Sequence, residues 1–277
     1  MLACAAALGF ILAGSTAALA DGHTGYPEAD DGFAPQRSVA LGGAVIVQPK
    51  FEGSDEYRVT GIPLIRPQLG GGSGLGAAFR RFVDIRGLDE VRLQVLQHGL
   101  LKAGPVVGYQ FGRDEDDADQ LIGLGDVDGS FVAGAFVSLG TDALRVDAVY
   151  QHTTAGDIDG YRLTIGAETR QDLTPGSYVK ARVGVTYADE NYQTTYFGIT
   201  DTQAAASTAG LTAYEASAGI KDVHAELGGS FALTERWSVL PQVRYSRLVG
   251  DAADSPIVEN ENQFSGRLGL TYRIDLD

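Results

Sequence analysis

Apolar and polar residues alternate along most of this chain after residue 37, and this pattern restricts the fold more than any other feature. In 177–188 one row of alternate positions is apolar, and these positions are Val179, Ala181, Val183, Val185 and Tyr187. Segment 264–275 repeats the alternation. A strand with two different faces gives a period of two, whereas the apolar residues of a helix recur every three or four positions. The sequence therefore predicts an all-β chain.

The length and charge of these segments indicate where the strands lie. Each is about ten residues long, roughly twice a common globular strand, which suits a tilted strand crossing a bilayer. The polar rows also carry charges in mid-segment, such as Arg145 with Asp147 and Lys180 with Arg182. An apolar row facing lipid and a charged row lining a wet lumen explain both features. We predict an antiparallel transmembrane β-barrel; a large soluble barrel with its apolar row inward is the alternative.

Twelve strands are predicted, with ten or fourteen as alternatives. A hairpin at 193–199 would raise the count to fourteen, and loss of one Gly-rich early segment would lower it to ten. The connections alternate between short and long, and an even strand count then places both termini in the periplasm. The predicted strands are 38–48, 59–69, 74–83, 91–100, 104–112, 129–140, 143–153, 160–171, 177–188, 222–233, 236–248 and 263–274.

The N-terminal segment predicts export. Residues 1–20 are uncharged and end in an A-x-A motif, which is typical of a secretory signal peptide; a membrane anchor is the alternative. Residues 21–36 are predicted to be a flexible lead-in, and 37–277 the barrel. Cys4, the single cysteine, falls in the signal segment, so no disulfide or thiol chemistry is expected. A net charge of -15 argues against a nucleic-acid partner.

Acidic residues concentrate in three long connections. Loop carboxylates can gather calcium, but 112–128 lacks the glycine and closing glutamate of an EF-hand, so a solvated acidic loop is the favoured interpretation. No metal or cofactor is predicted. The candidate interaction residues in these connections are Glu52, Asp55, Arg58, Arg113, Asp114, Glu115, Asp116, Asp117, Asp126, Asp128, Asp251 and Asp254.

No catalytic residue is predicted. His152 and His224 have hydroxyl or acidic neighbours in the sequence, but neither forms a recognisable pair of nucleophile and base. The lack of a close histidine pair also disfavours zinc. An outer-membrane hydrolase is therefore an unfavoured alternative.

Several loop motifs resemble one known family. The motifs are 51–58 (FEGSDEYR), 104–109 (GPVVGY) with 112–117 (GRDEDD), 123–128 (GLGDVD), 196–200 (YFGIT) with 203–207 (QAAAS), 233–237 (LTERW) and 245–258 (YSRLVGDAADSPIV). On these motifs the sequence resembles the MipA/OmpV outer-membrane proteins, the MltA-interacting protein family, over almost all of the predicted mature chain. The chain departs from this family at its end, since such relatives close on Phe and this chain closes on 272–277 (YRIDLD).

The resemblance implies an outer-membrane barrel without enzymatic activity. It implies a scaffold that docks a murein transglycosylase and a murein synthase during peptidoglycan assembly, with outer-membrane lipid around it. It carries over no active site. Because some members are described as adhesins or as affecting antibiotic entry, a pore for small solutes or antibiotics and a surface adhesin are the alternatives.

The predicted topology conflicts with that role, because the motif-rich loops would lie outside the cell while murein enzymes work in the periplasm. Either the acidic loops fold into the lumen, where they could plug the pore, or the orientation rule fails for this chain; the first is the favoured interpretation. Opposite charges on the lumen wall would hold them there. The candidate wall residues are Arg145, Arg162, Arg182, Arg244 and Arg267.

Overall fold

The computed structural model describes residues 37–68, 82–86, 89–141, 143–153 and 159–276. These residues form one antiparallel sheet of thirteen strands. Its order is β2-β1-β13-β12-β11-β10-β9-β8-β7-β6-β4-β3, and β5 also pairs with β6. The predicted signal peptide and lead-in, and most of the predicted strand 74–83, lie outside the described residues.

The long strands have the length predicted for crossing a bilayer, 10 to 15 residues each. The strand bounds are β1 Arg37–Pro49, β2 Tyr57–Gln68, β3 Val83–Ile85, β4 Val91–Leu93, β5 Leu96–His98, β6 Leu101–Gln110, β7 Ser130–Gly140, β8 Leu144–Thr153, β9 Tyr161–Thr174, β10 Ser177–Ala188, β11 Gly219–Ala232, β12 Trp237–Leu248 and β13 Asn262–Leu276.

The first and last strands are neighbours, as the closure of a barrel requires. β1 pairs with β13 from Arg37 opposite Leu276 to Val47 opposite Gly266. β2 and β3 are the two edges of the described sheet, and no pairing between them falls within the described ranges. The topology is that of an antiparallel β-barrel, and its β2–β3 seam adjoins residues 69–81 in the sequence.

Two details differ from the predicted strands. The predicted strand 91–100 is divided into β4 and β5 at Gln94, whose backbone N–H donates to the Phe82 carbonyl at 2.6 Å. This division gives thirteen described strands where twelve were predicted. The alternative hairpin at 193–199 is wrong, because most of that segment belongs to a helix.

The exposure of alternate residues shows which row of each strand faces outward. Arg145, Val146 and Asp147 follow one another on β8 and are 5%, 51% and 2% exposed. Val183 and Val243 are each 58% exposed in mid-strand. This inverts the usual burial of a soluble protein, in which apolar residues are inside and charges outside. The soluble-barrel alternative is therefore wrong, and the apolar face is the face that contacts lipid.

The long connections at the end opposite the chain termini contain short helices. They are α1 Glu190–Phe197, α2 Asp201–Ala206 and α3 Asp251–Asp254, with 3-10 turns at Glu115–Asp117 and Asp119–Leu121. No helix in the described part of the chain has the length and hydropathy to span a membrane.

Aromatic rings gather at the strand ends. Tyr109 lies edge-on to Phe111 and Phe131, with ring centroids 5.5 and 5.4 Å away, and Tyr245 lies 5.0 Å from Phe264. These rings are at the end with the long connections. At the end with the short turns, Trp237 packs 5.0 Å from Tyr272. Aromatic side chains at both ends suit the two membrane interfaces.

Val183→Arg tests the direction of the lipid face. It places a charge in mid-strand between the small Ala167 of β9 and Ala225 of β11. Because these neighbours leave room for the side chain, the loss of stability comes from exposing the charge to lipid and not from a steric clash. We expect the free energy of unfolding in lipid vesicles, measured with urea, to fall by about 2–4 kcal/mol. Thr202→Arg, on an exposed position of α2, is the matched control and should change it by less than about 0.5 kcal/mol. Equal small effects would contradict a lipid-facing β10.

Candidate functional site: the capped lumen

Ion pairs cross the inside of the barrel. The Asp147 carboxylate of β8 receives Arg92 at 2.6 Å and Arg182 at 2.7 Å, from two different parts of the sheet. Glu168 of β9 receives Arg86 at 2.8 Å and Arg145 at 2.5 Å. All of these side chains are buried or nearly so, and such pairs are worth most where water is excluded. Arg86 and Arg92 thus tie the β3–β4 hairpin to β9 and β8, whereas Arg145 pairs with a carboxylate on the neighbouring strand and Arg182 with one on the next strand but one.

The hairpin of β3 and β4 supplies half of this network. Arg92 is 1% exposed, and its guanidinium also pairs with Glu90 at 2.6 Å and lies 5.0 Å over the ring of Phe136. Arg86 pairs with Asp84 at 3.3 Å. Four arginines therefore face four carboxylates, and the charges of this set balance. Sequence reasoning did not name these hairpin residues as candidates, because Asp84, Arg86 and Glu90 fall between the predicted strands 74–83 and 91–100 and the contacts of Arg92 appear only in the fold.

Four long connections pack together at the end of the barrel opposite the chain termini, and we call them the cap: residues 50–56, 111–129, 189–218 and 249–261. Two apolar clusters hold the cap together. The first is Val127, Ala188, Tyr192, Tyr196, Phe197, Ala216, Leu248 and Ala252, and the second is Phe51, Ala118, Leu121, Leu124, Ile199 and Ile257. The cap thus has a hydrophobic core of its own, separate from the lipid-facing surface.

Helix α1 lies across the lumen mouth. Tyr192 stacks near two cations of the wall, with Arg162 5.9 Å and Lys221 6.0 Å from its ring centroid. The Gln110 amide of β6 donates to the hydroxyls of Tyr192 at 2.9 Å and Tyr196 at 2.7 Å. Burial raises the pKa of both tyrosines above its ordinary value, so both stay neutral donors and acceptors at physiological pH.

The acidic connection binds its own backbone. The Glu115 carboxylate accepts the N–H groups of Gly123 and Gly125, both at 3.1 Å, and Asp126 accepts the N–H of Glu115 at 2.8 Å. Asp117 accepts the N–H of Asp114 at 3.3 Å. Within the described ranges, no group of three or more His, Cys, Asp or Glu side chains is placed to hold a metal. These carboxylates shape the loop.

The other predicted loop residues divide into structural and exposed ones. Arg113 is buried and donates to the Tyr196 carbonyl at 3.0 Å, and burial lowers its pKa. Asp251 accepts the Ser217 N–H at 2.7 Å, and Arg58 lies 3.7 Å from Asp117. Glu52 pairs with Lys221 of β11. The exposed residues are Asp55, Asp116, Asp128 and Asp254.

The predicted pairing of lumen arginines with the acidic loops needs correction. Arg145 and Arg182 form ion pairs with carboxylates of the wall, as described above. Arg162 pairs with Asp89 of the β3–β4 connection at 2.9 Å, and Arg267 donates to Gln242 of the neighbouring strand. Arg244 lines a cavity beneath the cap. The cap is held by its apolar clusters and by Lys221, and of the five predicted arginines Arg162 contacts it, through the ring of Tyr192.

A buried Asp–His pair lies in the same cavity. His224 Nδ1 is 2.9 Å from Asp222 Oδ1, an arrangement that can orient a general base. The imidazole, however, lies over Gly184, where an added Cβ would be 2.5 Å from Nε2. Ser246 lies opposite His224 on β12 and lines the same cavity, but among the described residues no hydrogen bond joins its hydroxyl to the imidazole. His152 is half-buried, and its Nδ1 lies 2.6 Å from the Thr153 carbonyl.

The long strands, outward apolar face and inward charges define an outer-membrane β-barrel whose lumen is covered by its own loops. Residues 41–274 match the model of the family described as MltA-interacting protein MipA. The chain therefore belongs to this family. The resemblance found in the loop motifs is confirmed.

Curated relatives carry outer-membrane names. Outer membrane protein Omp26La of Vibrio anguillarum is 28% identical over 172 residues, 61% of this chain and 63% of the relative. Outer membrane protein OmpV of Vibrio cholerae is 27% identical over the same share of each chain. The MltA-interacting protein of Escherichia coli K12 is 32% identical over 113 residues, 41% of each chain. The chain thus spans less than two thirds of the length of these relatives.

The matches among solved structures include outer-membrane barrels. The translocator domain of the autotransporter NalP from Neisseria meningitidis is 13% identical, with 99% of this chain and 97% of that chain covered and a TM-score of 0.39. OprD from Pseudomonas aeruginosa is 10% identical, with 89% and 96% covered and a TM-score of 0.37. With TM-scores below 0.5, these likenesses support no inference about function.

Asp147→Asn tests the lumen network. The change leaves Arg92 and Arg182 without their shared carboxylate in a buried site, so we expect the free energy of unfolding to fall by about 3–5 kcal/mol. Asp172→Asn is the matched control, because Asp172 pairs with Arg170 at 2.8 Å but its side chain is 54% exposed. That control should cost less than about 1 kcal/mol. Equal costs in urea titrations would show that the lumen is as wet as the surface.

Proposed function

We propose that this protein is a non-enzymatic docking protein of the outer membrane, and that it holds cell-wall enzymes at the inner surface of that membrane. The observation that carries the proposal is the occupied lumen. Ion pairs on Asp147 and Glu168 cross it, and α1 lies over its mouth. These contacts among the described residues narrow any passage through the lumen, which favours the ends of the barrel as the surfaces for function. The naming of a relative as an MltA-interacting protein supports the same role.

Orientation decides which end docks. Outer-membrane barrels place short turns and both termini in the periplasm and long loops outside. The short turns of this chain, including 233–236, would then face murein, and the cap would face the exterior. A murein transglycosylase and a murein synthase are the proposed partners, and they work on the periplasmic side. In this proposal the motifs 51–58, 112–128, 196–207 and 245–258 build the cap, and the turn 233–236, part of the motif 233–237, belongs to the docking end.

A photo-crosslinking amino acid at Glu235, in an exposed short turn, tests this docking surface. The same substitution at Asp116, exposed on the cap, is the matched control. We expect irradiation of intact cells to link a murein transglycosylase or murein synthase to position 235 and not to 116, identified by mass spectrometry. Linkage from 116 alone would reverse the orientation, and linkage of neither enzyme from either position would refute docking.

A second candidate function is a gated pore for small solutes. The observation that favours it is a polar cavity of about 190 Å³ in the lumen, beneath the cap and lined by charged residues. In this account α1 is a gate. The apolar core of the cap would then hold the gate shut in the resting state.

Conductance in planar bilayers separates the two candidates. In the docking account, wild-type protein stays closed, because the cap and the lumen ion pairs block ion flow. Phe197→Ala removes a fully buried side chain from the cap core, at a cost of about 3–5 kcal/mol to the local packing, and should produce openings. Discrete opening steps from the wild-type protein would favour the pore, because a gate must open at times even if its resting state is shut.

A further inference from the structure

A groove of about 530 Å³ lies on the lipid-facing side of the barrel, near the cap. Three of its lining positions, Glu226, Arg244 and Ser265, belong to the row of their strands whose side chains point to the lumen. The other lining residues belong to the outward rows of β1, β2, β11, β12 and β13, and they are Val47, Tyr57, Ala225, Leu227, Val243, Tyr245, Phe264 and Gly266. The side chains that form the groove are therefore aliphatic or aromatic.

The end of a strand pairing explains why the surface is concave here. β1 and β13 pair as far as Val47 opposite Gly266, and the pairing stops there although both strands continue toward the cap. Phe264 of β13 therefore has no residue of β1 opposite it. Gly266 has no side chain, and its neighbours in the register are the branched residues Val47 and Val243. The glycine is thus the floor of the groove, and the two valines are its walls.

Neither backbone conformation nor packing requires a glycine at position 266. Its φ is not in the left-handed region, and among the described residues the atom nearest to an added Cβ would be the Gln242 carbonyl oxygen, at 3.9 Å. Gly42 of β1 differs, because an added Cβ there would lie 1.9 Å from the Leu270 carbonyl oxygen. A side chain at 266 would fit the protein but would fill the groove. The glycine therefore keeps this space open.

The height of the groove in the membrane indicates what fills it. Tyr245 and Phe264, with ring centroids 5.0 Å apart, belong to the aromatic rings at the cap end of the strands, which suit the level of the lipid head groups. Gly266 lies two residues further along β13, about 7 Å deeper at about 3.3 Å per residue. A lipid with its head group at the level of the rings would place its hydrocarbon chain in the groove.

Van der Waals contact, rather than the hydrophobic effect, decides which molecule occupies the groove. Lipid tails are as apolar as the walls, so a chain that enters the groove gains nothing from leaving water. An empty groove, however, leaves its lining atoms without contacts on one side, and a flexible acyl chain restores those contacts. Arg247 of β12, beyond the aromatic rings, is already paired with Glu261 at 2.9 Å, so this cation does not select a head group. The groove therefore recognises the chain.

We propose that this groove binds one acyl chain of a membrane lipid from the leaflet at the cap end, with the chain over Gly266 and between Val47 and Val243. The groove continues the surface that contacts lipid, and it lies on the opposite face of the strands from the lumen. The proposal is therefore independent of whether the barrel docks enzymes or conducts solutes.

Native mass spectrometry of the protein released from phospholipid nanodiscs tests the proposal. We expect the wild-type protein to retain one phospholipid, and Gly266→Leu, which fills the groove, to lower the retained fraction at least about fivefold. Gly43→Leu is the matched control, because Gly43 lies on the same face of β1, four residues from Val47 and outside the groove. An added Cβ at Gly43 would lie 3.5 Å from the Ile62 carbonyl oxygen, an ordinary contact. This control should change retention by less than about twofold.

Further arms of the same experiment separate the chain from other occupants. Phosphatidylethanolamine and phosphatidylglycerol with the same chains should be retained equally, and retention of only one of them would refute recognition through the chain. Ala225→Leu, in the same groove, is a second filling variant, and the mobility of the unboiled protein on SDS gels shows which variants fold. No lipid on the wild-type protein, or equal retention by the folded filling variants, would overturn the proposal. A wild-type dimer without lipid that Gly266→Leu dissociates would assign the groove to a second copy instead.

Discussion

The Asp147 carboxylate between Arg92 and Arg182 is the contact on which the rest of this structure depends. Charges in mid-strand must face the lumen rather than lipid, and because these side chains are buried there, each needs a partner, since an unpaired buried charge costs several kcal/mol. Once the charged row turns inward, the apolar row of the same strands must turn outward, since successive side chains point to opposite faces. The lipid-facing surface is thus a consequence of the lumen pairing and of the strand pleat.

The cap follows from a second constraint, because the long connections carry apolar residues that lipid cannot cover. They bury these residues against one another, and the family motifs are the segments that do so: 51–58, 112–128, 196–207 and 245–258. Gly53, at a positive φ of 102°, shows how close the packing is, since an added Cβ would lie 2.7 Å from Val258 Cγ2. The motifs can therefore be read as the structural core of the cap, and an active site is not needed to explain them.

Sequence reasoning predicted the barrel because a period of two records the strand pleat directly. It did not predict α1, because Tyr, Thr and Phe in 190–197 favour strands as isolated residues. The sequence nevertheless carries signals for the starts of both helices. Asp189 is the N-cap of α1 and accepts the Tyr192 N–H, and Thr200 with Gln203 forms a capping box for α2. The ion pairs of the lumen could not be predicted from the sequence, because the fold alone brings partners such as Arg86 and Glu168 together.

Methyl NMR in nanodiscs that contain lipid with a spin label in the acyl chain tests the central claim most directly. Val106 and Val107 are adjacent on β6 but 0% and 45% exposed, and Val149 and Val183 form a second pair at 1% and 58%. The inside-out barrel predicts strong broadening of the methyl signals of Val107 and Val183, with those of Val106 and Val149 spared. Broadening of Val106 with Val107 spared, or no broadening at either, would contradict a barrel with a lipid-facing apolar row and a protein-lined lumen.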